Sequence, residues 1–301
     1  MPRLSVVIPS ASRPELLSRC LASVKQFAPS DTEVVVVDDA SEQGCISEVA
    51  CHNPNVRVIR LNERSGFCVA ANVGVLSAQA DVVELLNDDT EVAPGWADEP
   101  LKRFADRNVV AVAPLVLQLD PERSRAGLPT LIDSAGDDYD YGGFATKRYH
   151  NTELLTAQAQ LQHAQPVWGV SASAAFYRRE SILQAGLFPT TFGAYFEDVD
   201  LSHRLQPFGQ VWFDPSSVVW HRVSASYGRT ASPELLEQQS RNEELVFWRN
   251  VRGVKRWKFF PRHVGVLMAK AFRRWREGRL SPWLHGRWKA WQTSTEVGTR
   301  R

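Results

Sequence analysis

The sequence predicts an α/β fold with a mostly parallel central sheet covered by helices. Short apolar, β-branched runs alternate with helical segments along the first half of the chain, an order typical of right-handed βαβ units. These runs lack polar alternation, as expected of strands that are buried on both faces. Three of them end in polar residues, and ligands of such sheets bind beyond the carboxyl ends of the strands.

The first part of the chain supplies four strands and the helices between them. Residues 4–9 form the first strand, and the pair Ser12 and Glu15 predicts a capping box at the start of the following amphipathic helix. Further strands are predicted at 33–37, 56–61 and 82–86, with a helix of small residues at 66–80.

The pattern becomes less regular after residue 110. A strand is predicted at 109–119, and the polar, glycine-rich and aspartate-rich stretch 120–150 is interpreted as a loop. Residues 166–177 are predicted to form one strand with small residues in its middle. The remaining predicted elements are helices at 181–186, 196–205 and 232–248 and strands at 211–213 and 218–220.

The C-terminal part of the chain differs from the rest in charge. The whole chain of 301 residues has a net charge of +1, but residues 249–301 hold fifteen Lys/Arg and two acidic residues, while the first 248 residues hold twenty Lys/Arg and thirty-two acidic residues. Six of the ten tryptophans lie at Trp248 or beyond. The tail is predicted to form helical pieces broken by Pro261, Gly278 and Pro282, with a different partner from that of the acidic part.

Composition predicts a soluble globular protein, since 44% of residues are hydrophobic and 23% are charged. Four cysteines without CxxC spacing favour a reduced, cytoplasmic protein. No basic and apolar leader is visible at the N-terminus. The longest apolar stretches have seven or eight residues, whereas a membrane span needs about 20; any membrane contact is therefore expected to be peripheral.

Acidic residues and one histidine stand at the ends of predicted strands. Asp88 and Asp89 follow a strand, where one or two carboxylates together with substrate phosphates can bind a hard divalent cation. The alternative is an acidic turn that caps a helix. His221 follows another apolar run and can complete a metal shell begun by Asp89, although a lone histidine is more often structural.

A second acidic pair opens a predicted helix. Glu197 and Asp198 lie where the helix dipole favours ionised carboxylates, and a carboxylate near an acceptor hydroxyl can act as a general base. The alternative is N-terminal capping with an Asp200–Arg204 pair at helical spacing. Ser10 and Arg13 can contact a base or a phosphate. Asp38 can bind a ribose hydroxyl or a base edge, with helix capping as the alternative, and Gly66 and Asn72 can approach a diphosphate, with close helix packing as the alternative.

The chain resembles the inverting glycosyltransferases of family 2, which share the GT-A fold. Over about residues 3–230, seven collinear motifs carry this resemblance: SVVIPSASR, VVVVDDAS, NERSGFCVAANVG, LLNDDTEV, WGVSASAAFYRRESILQAGLF, YFEDVDLSHRL and VVWHRVSAS. Within the family it is most similar to bacterial rhamnosyltransferase-like and galactofuranosyltransferase-like members, which build cell-surface polysaccharides.

The resemblance implies a role for each candidate residue. The implied nucleotide-binding residues are Pro9, Ser10, Arg13, Asp38, Gly66, Asn72 and Asp88. Asp89 and His221 would hold Mg²⁺ or Mn²⁺, Asp198 would be the catalytic base beside Glu197, and Trp168 and Gly169 would border the sugar and acceptor. The sequence departs from the family at Asn87, the first position of the DXD motif, and at Ala11, Ser12 and Asp39, which leaves open the choice between uridine and thymidine donors.

The implied reaction moves a sugar from dTDP-rhamnose or a UDP-sugar to a cell-surface glycan or lipid-linked acceptor, with inversion. Residues 1–230 would form the GT-A domain, with a nucleotide-sugar half at about 1–118 and an acceptor half at about 119–230, followed by a basic helical segment at 231–301. Residues 249–301 are expected to contact an anionic membrane, placing the protein at the inner face of the plasma membrane, without nucleic acid as a partner.

Other interpretations remain open. The tail can pack on the main domain with its arginines extended to water, or bind nucleic acid. The chain can also be a catalytically silent sugar-nucleotide-binding scaffold of a glycan assembly complex, for which Asn87 is the sequence hint. A nucleotidyltransferase is less favoured, because the segment after the first strand has one arginine and no glycine.

Overall fold

A ten-stranded sheet forms the centre of the structure, a computed structural model that describes residues 2–222 and 232–298. The strands are β1 Leu4–Ser10, β2 Thr32–Asp38, β3 Val56–Arg60, β4 Val82–Leu86, β5 Thr90–Val92, β6 Val109–Gln118, β7 Ile132–Ser134, β8 Asp137–Asp140, β9 Phe144–Lys147, β10 Gln165–Val167, β11 Ala174–Arg178 and β12 Gln210–His221. The helices are α1 Pro14–Phe27, α2 Cys45–Cys51, α3 Phe67–Ser77, α4 Asp98–Arg103, α5 Pro121–Arg125, α6 Leu154–Ala157, α7 Arg179–Gln184, α8 Glu197–Leu205, α9 Pro233–Asn250, α10 Gly253–Arg276 and α11 Leu280–Gly298.

Strand pairing brings the carboxyl ends of several strands to one edge. The order is β10-β12-β6-β11-β4-β1-β2-β3, with β5 on β12 and β7 on β6. Strands β1 to β4 are parallel, and β11 runs antiparallel between β4 and β6. Because β12 is parallel to β6, strands β1, β4, β6 and β12 all end at the same edge. The predicted mostly parallel sheet with flanking helices is confirmed.

Helices cover both faces of the sheet. In β1, Val7 packs in one core cluster with apolar residues of α3, while Val6 and Ile8 pack in the other with those of α1, as side-chain alternation along a strand requires. Helix α3 approaches β1 closely at Gly74, where an added Cβ would lie 2.2 Å from Cγ1 of Val7. The small residues of the predicted 66–80 helix therefore serve close packing.

Two predictions about single elements are wrong. The capping box at Ser12 and Glu15 does not form: α1 begins at Pro14, Arg13 is its N-cap, and no side chain caps it. Proline fits the first helical position because its missing N–H needs no partner there. Pro261 and Pro282 do not break the tail helices, since α10 continues through Pro261 and Pro282 lies in the first turn of α11. Pro261 lies on the exposed side of α10, where water can satisfy the freed carbonyl.

The second half of the sheet is also more ordered than predicted. The stretch 120–150 contains α5, β7 and the hairpin of β8 and β9, because short polar strands have little periodicity to reveal them. Residues 166–177 divide between β10 and β11, which pair with different strands. Conversely, the two strands predicted at 211–213 and 218–220 are one strand, β12, with an irregularity between Asp214 and Val218.

A buried carboxyl group lies in the centre of the sheet. Glu84 of β4 is fully buried, and both of its carboxyl oxygens lie 3.0 Å from Nε1 of Trp96. Burial raises the pKa of Glu84 to about 8, although the Trp96 hydrogen bond lowers it in part. The folded protein therefore keeps a proton on this carboxyl that the unfolded chain releases above about pH 4.5.

This proton makes stability depend on pH. As pH rises from about 4.5 to about 8, the unfolded state binds fewer protons than the folded state, so the free energy of unfolding decreases. We expect Glu84→Gln to raise the free energy of unfolding by several kcal/mol above about pH 8, and to change it little near pH 4. Urea unfolding at both pH values measures this. An equal effect at the two pH values would contradict the assignment.

Candidate active site

The polar ends of β1 and β4 meet at the edge of the sheet. Ser10 donates a hydrogen bond from Oγ to Oδ2 of Asp88 at 2.6 Å. The guanidinium of Arg13, just after β1, bonds Asp88 and also lies 2.7 Å from Oδ2 of Asp89. Burial raises the pKa of Asp88, while Arg13 and Ser10 lower it. The structure thus brings together four of the predicted site residues.

His221 reaches the same place through strand pairing. It is the last residue of β12 and pairs with Thr90 of β5, directly after Asp89. Its Nε2 lies 3.3 Å from Oδ1 of Asp89, and its Nδ1 lies 3.0 Å from Oδ2 of Asp133. Burial lowers the pKa of His221, but the hydrogen bonds with Asp133 and Asp89 outweigh this effect and raise it to about 9.

Asp133 is a site residue that sequence reasoning missed. It lies in β7, 1% exposed, and Nζ of Lys147 on β9 lies 3.0 Å from its Oδ2. Burial raises the pKa of Asp133, but Lys147, His150 and His221 hold it well below its ordinary value. Only Leu131 and Ile132 precede it as an apolar run, and two residues are too few to predict a strand end.

The acidic pair of α8 faces the cavity from the other side. Asp198 accepts hydrogen bonds from the N–H of Ala172 at 3.1 Å and of Val199 at 2.8 Å. Glu197 is buried, and its Oε2 has no hydrogen-bond partner among the residues that the structure describes. Burial raises the pKa of both carboxyls, and the Asp198 carboxylate raises that of Glu197 further. Both therefore bind protons more tightly than exposed carboxyls do.

The turn before α8 has an unusual backbone conformation. Tyr195 and Phe196 have φ values of 71° and 66°, a left-handed region that is costly for bulky side chains. Helix α9 stabilises this turn: Nδ2 of the buried Asn242 lies 2.9 Å from the carbonyl oxygens of Phe192, Ala194 and Tyr195. The first helix after the predicted GT-A domain therefore positions the acidic pair.

Removing this support should disturb the site. We expect Asn242→Leu to lower kcat/KM at least about tenfold and the free energy of unfolding by about 2 kcal/mol, because buried carbonyls lose their donor. Donor turnover and urea unfolding are the measurements. Asn53→Leu is a matched control, since Asn53 also donates to a backbone carbonyl, of Val49, in a different part of the chain. Unchanged kcat/KM in Asn242→Leu would show that the turn needs no such support.

One cavity lies between Arg13, His221 and the acidic pair of α8. It has a volume of about 500 Å³, and its lining includes Arg13, Asn87, Asp137, Lys147, Tyr195, Glu197, Asp198, His221 and Gln239. This size suits a small-molecule ligand. Asp137 and Lys147 are further residues that sequence reasoning missed, since they lie in the stretch interpreted as a loop. Burial and the nearby Asp198 raise the pKa of Asp137 to about 8.

Several predicted nucleotide-binding residues lie outside this lining. Asp38 is fully buried and binds Ser41, Ser47 and Arg60. The amide of Asn72 bonds the backbone of Phe188 in both directions, at 2.8 and 2.9 Å. Pro9 is buried in β1, and the N–H of Gly66 donates to Asp39 at 2.9 Å. Their contact with a nucleotide stays a prediction.

Trp168 and Gly169 lie beside the cavity rather than in its lining. The ring of Trp168 stacks on Tyr139 with centroids 4.9 Å apart, and His203 contacts it edge-on at 4.8 Å. Gly169 and Asp137 exchange backbone hydrogen bonds of 2.9 and 3.1 Å. Gly169 therefore fixes the strand that carries Asp137 into the cavity, and direct contact of either residue with sugar or acceptor stays a prediction.

Comparison with known proteins identifies the family. The sequence model "Glycosyl transferase family 2" matches residues 5–184, more than half of the chain. The chain belongs to glycosyl transferase family 2. It is therefore a glycosyltransferase, and the predicted family is confirmed. The matched range of this family 2 enzyme contains Arg13, Asp88 and Asp89, whereas Asp198 and His221 lie beyond it.

Relatives of this glycosyltransferase are bacterial and animal enzymes. N-acetylglucosaminyl-diphospho-decaprenol L-rhamnosyltransferase of Mycobacterium tuberculosis (strain CDC 1551 / Oshkosh) is 29% identical over 251 residues, which are 77% of this chain and 80% of that protein. Polypeptide N-acetylgalactosaminyltransferase 13 of Homo sapiens is 30% identical over 155 residues, 49% of this chain and 27% of that protein.

Solved structures share the fold of this glycosyltransferase. GalNAc-T7 with UDP, GalNAc and Mn²⁺ matches with a TM-score of 0.62 at 20% identity, covering 81% of this chain and 48% of that one, so this chain spans about half its length. Mannosyltransferase PcManGT from Pyrobaculum calidifontis, in complex with GDP-Man and Mn²⁺, matches with a TM-score of 0.58 at 17% identity, covering 96% of this chain and 87% of that one. The predicted GT-A fold is confirmed.

Proposed function

We propose that this chain is an inverting, metal-dependent glycosyltransferase with a nucleoside-diphosphate sugar as donor. One observation carries the proposal: Asp198, Arg13 and His221, the last 3.3 Å from Asp89, line a single cavity at the edge of the sheet. A general base for the acceptor hydroxyl thus lies across the cavity from the cationic and metal-ligating groups that can bind the leaving diphosphate. The relative named as an L-rhamnosyltransferase supports a rhamnosyl donor such as dTDP-rhamnose, and the solved structure with UDP supports a UDP-sugar.

The residues present fit a divalent cation. Neighbouring ligands on an octahedral Mg²⁺ lie about 3 Å apart, close to the 3.3 Å between Oδ1 of Asp89 and Nε2 of His221. Asp133 holds Nδ1 of the imidazole, which directs Nε2 to the site. In residues 2–222 and 232–298 no cluster of three His, Cys, Asp or Glu side chains is set to hold a metal, so diphosphate oxygens would complete the shell.

The donor-side groups stabilise the leaving diphosphate. Mg²⁺ or Mn²⁺, held by Asp89 and His221, would neutralise charge on the phosphate oxygens. Arg13 adds a guanidinium at the same place, where it can stabilise the charge that develops as the bond between the anomeric carbon and the phosphate oxygen breaks. A cation needs the neutral imidazole of His221, so it competes with the proton that Asp89 and Asp133 favour.

The acceptor-side group is Asp198. Its carboxylate would remove the proton from an acceptor hydroxyl as that oxygen attacks the anomeric carbon opposite the nucleotide. One C–O bond forms and one breaks, the nucleoside diphosphate leaves, and the proton ends on Asp198. Because burial raises the pKa of this carboxyl, it is a stronger base than an exposed aspartate. A single displacement inverts the anomeric configuration.

The acceptor we propose is a lipid-linked or cell-surface glycan. The relative from M. tuberculosis is named for a diphospho-decaprenol acceptor, and such an acceptor lies at a membrane. We propose the inner face of the plasma membrane as the location, because nucleotide sugars are made in the cytoplasm. A catalytically silent scaffold is the second candidate, favoured by Asn87, which lines the cavity in place of a first acidic residue of the DXD motif.

Isothermal titration of nucleoside diphosphates tests the proposal. A panel of UDP, dTDP and GDP is titrated into the protein with Mn²⁺ and, separately, with EDTA. We expect one nucleotide to bind tightly when Mn²⁺ is present and not in EDTA. The nucleobase of that nucleotide then limits the possible donors. Transfer from the matching sugar donor, followed by NMR of the product's anomeric proton, then tests inversion. Binding without transfer would favour the scaffold, and no binding by the folded protein would overturn both candidates.

A further inference from the structure

Helix α10 leaves an apolar row uncovered on the protein surface. Its exposed apolar residues recur three or four positions apart, so they lie on one side of a helix with 3.6 residues per turn. They are Val254, Trp257, Phe260, Val264, Met268, Phe272 and Trp275. Trp257, Met268 and Trp275 have exposed fractions of 76%, 68% and 64%, which is unusual for such large apolar side chains.

Basic residues form a second exposed row next to the apolar one. At helical spacing they lie together on the adjoining side of α10: Lys255, Lys258, Arg262, Arg273 and Arg276. Arg262 pairs with Asp140 and Arg273 with Glu277, which still leaves an excess of positive charge. An apolar stripe flanked by cations is the pattern of a helix that lies in the plane of a membrane interface.

The remaining side of α10 is anchored to the enzyme. His263 is 1% exposed, stacks on Phe247 at 3.7 Å and contacts Glu244 of α9. Lys270 forms an ion pair with Glu243, which also lies in α9. The apolar row therefore cannot be buried by rotating α10 against the domain without breaking these contacts.

Helix α11 exposes a similar row. Leu284, Trp288 and Trp291 are about half exposed, and their spacing of four and three residues places them on one side. The opposite side packs closely on α9, since an added Cβ at Gly286 would lie 2.2 Å from the carbonyl oxygen of Glu237. We call the exposed apolar and basic rows of α10, together with this row of α11, the tail surface.

We propose that the tail surface binds the interface of an anionic lipid membrane. Tryptophans favour the boundary between headgroups and acyl chains, and basic side chains gain from anionic lipids. A nucleic acid would be met by cations and flat stacking platforms, whereas here a row of aliphatic and aromatic side chains runs beside the cations along the exposed side of α10. In residues 2–222 and 232–298, no helix is long and apolar enough to span a membrane. With its apolar and basic rows side by side, α10 would lie in the plane of the interface.

Membrane binding by the tail surface would serve the proposed function. Its role depends on that proposal, because it assumes a lipid-linked acceptor. Helix α9 packs on both α10 and α11, and its Gln239 lines the catalytic cavity. A cavity beside it, lined by Gln239, Lys270, Arg274 and Trp283, extends from α9 to the tail helices. Binding at the membrane would thus keep the cavity within reach of an acceptor whose lipid is embedded there.

Vesicle binding of the full chain tests the proposal. We expect vesicles of equal parts phosphatidylcholine and phosphatidylglycerol to bind the protein at least about tenfold more tightly than vesicles of phosphatidylcholine alone. The triple variant Trp257→Ser, Met268→Ser and Trp275→Ser should lose at least about tenfold in affinity for the anionic vesicles. Lys258→Gln with Arg276→Gln should lose binding to anionic vesicles and become less sensitive to salt.

The chain offers a matched control. Leu76, Leu128 and Leu155 are exposed apolar residues far from the tail in sequence, and their triple serine variant should bind vesicles as the wild type does. Equal losses in both triple variants, or no vesicle binding by the folded wild type, would overturn the proposal. The proposal would also be overturned if sedimentation velocity showed a dimer of the wild type that is lost only in the triple variant of the tail surface. The assay needs no donor or acceptor, so vesicle binding without sugar transfer would count against the proposed function alone.

Discussion

Replacing Asp198 by asparagine should lower kcat about 1,000-fold and leave nucleoside diphosphate binding near that of the wild type. Asparagine has nearly the same shape, and its side-chain oxygen can still accept the hydrogen bond from the N–H of Ala172. It cannot take the proton of an acceptor hydroxyl at neutral pH. Binding of the nucleotide depends on groups across the cavity. The variant should therefore lose turnover but keep its nucleotide affinity in the titration.

A control and a pH profile sharpen this result. Asp138→Asn changes an exposed carboxylate of β8 and should leave kcat unchanged. In the wild type, kcat/KM should fall as pH decreases, because protonation removes the base. This fall should occur at a higher pH than an exposed aspartate would give, since burial raises the pKa of Asp198. Full turnover by Asp198→Asn would rule out this residue as the base.

The donor side of the site was largely predictable from the sequence. Asp88, Ser10 and Arg13 follow apolar runs, and the carboxyl ends of neighbouring parallel strands meet at one edge. That rule needs only the order of strands and helices along the chain. The contact between Asp88 and Ser10, at 2.6 Å across 78 residues, is its direct consequence.

Contacts that depend on short or late strands were not predictable in this way. Asp133 lies in β7, which has three residues, too few for a periodic signal. His221 meets Asp89 because β5, also three residues long, pairs with β12; here the family resemblance supplied what periodicity did not. The left-handed turn at Tyr195 depends on Asn242, 47 residues away, and turn residues such as Gly or Asn are absent at that position.

The metal site should respond in graded steps when its ligands and their support are removed. With Mn²⁺ present, Asp89→Asn and His221→Ala should each weaken nucleoside diphosphate binding by at least about 100-fold, since each removes a ligand. Asp133→Asn should weaken it by about 10-fold to 100-fold, because the imidazole loses the carboxylate that orients it. Titration with Mn²⁺ and with EDTA is the measurement.

The EDTA arm separates metal binding from general damage. If these residues act through the metal, all three variants should bind the nucleotide in EDTA as weakly as the wild type does, because the remaining affinity then comes from other contacts. A variant that loses affinity equally in both arms has lost the fold of the site instead. The relative size of the losses in affinity matters as well. A loss in Asp133→Asn as large as that in Asp89→Asn would make Asp133 a ligand itself, although in this structure its carboxylate is engaged by Lys147 and the far nitrogen of His221.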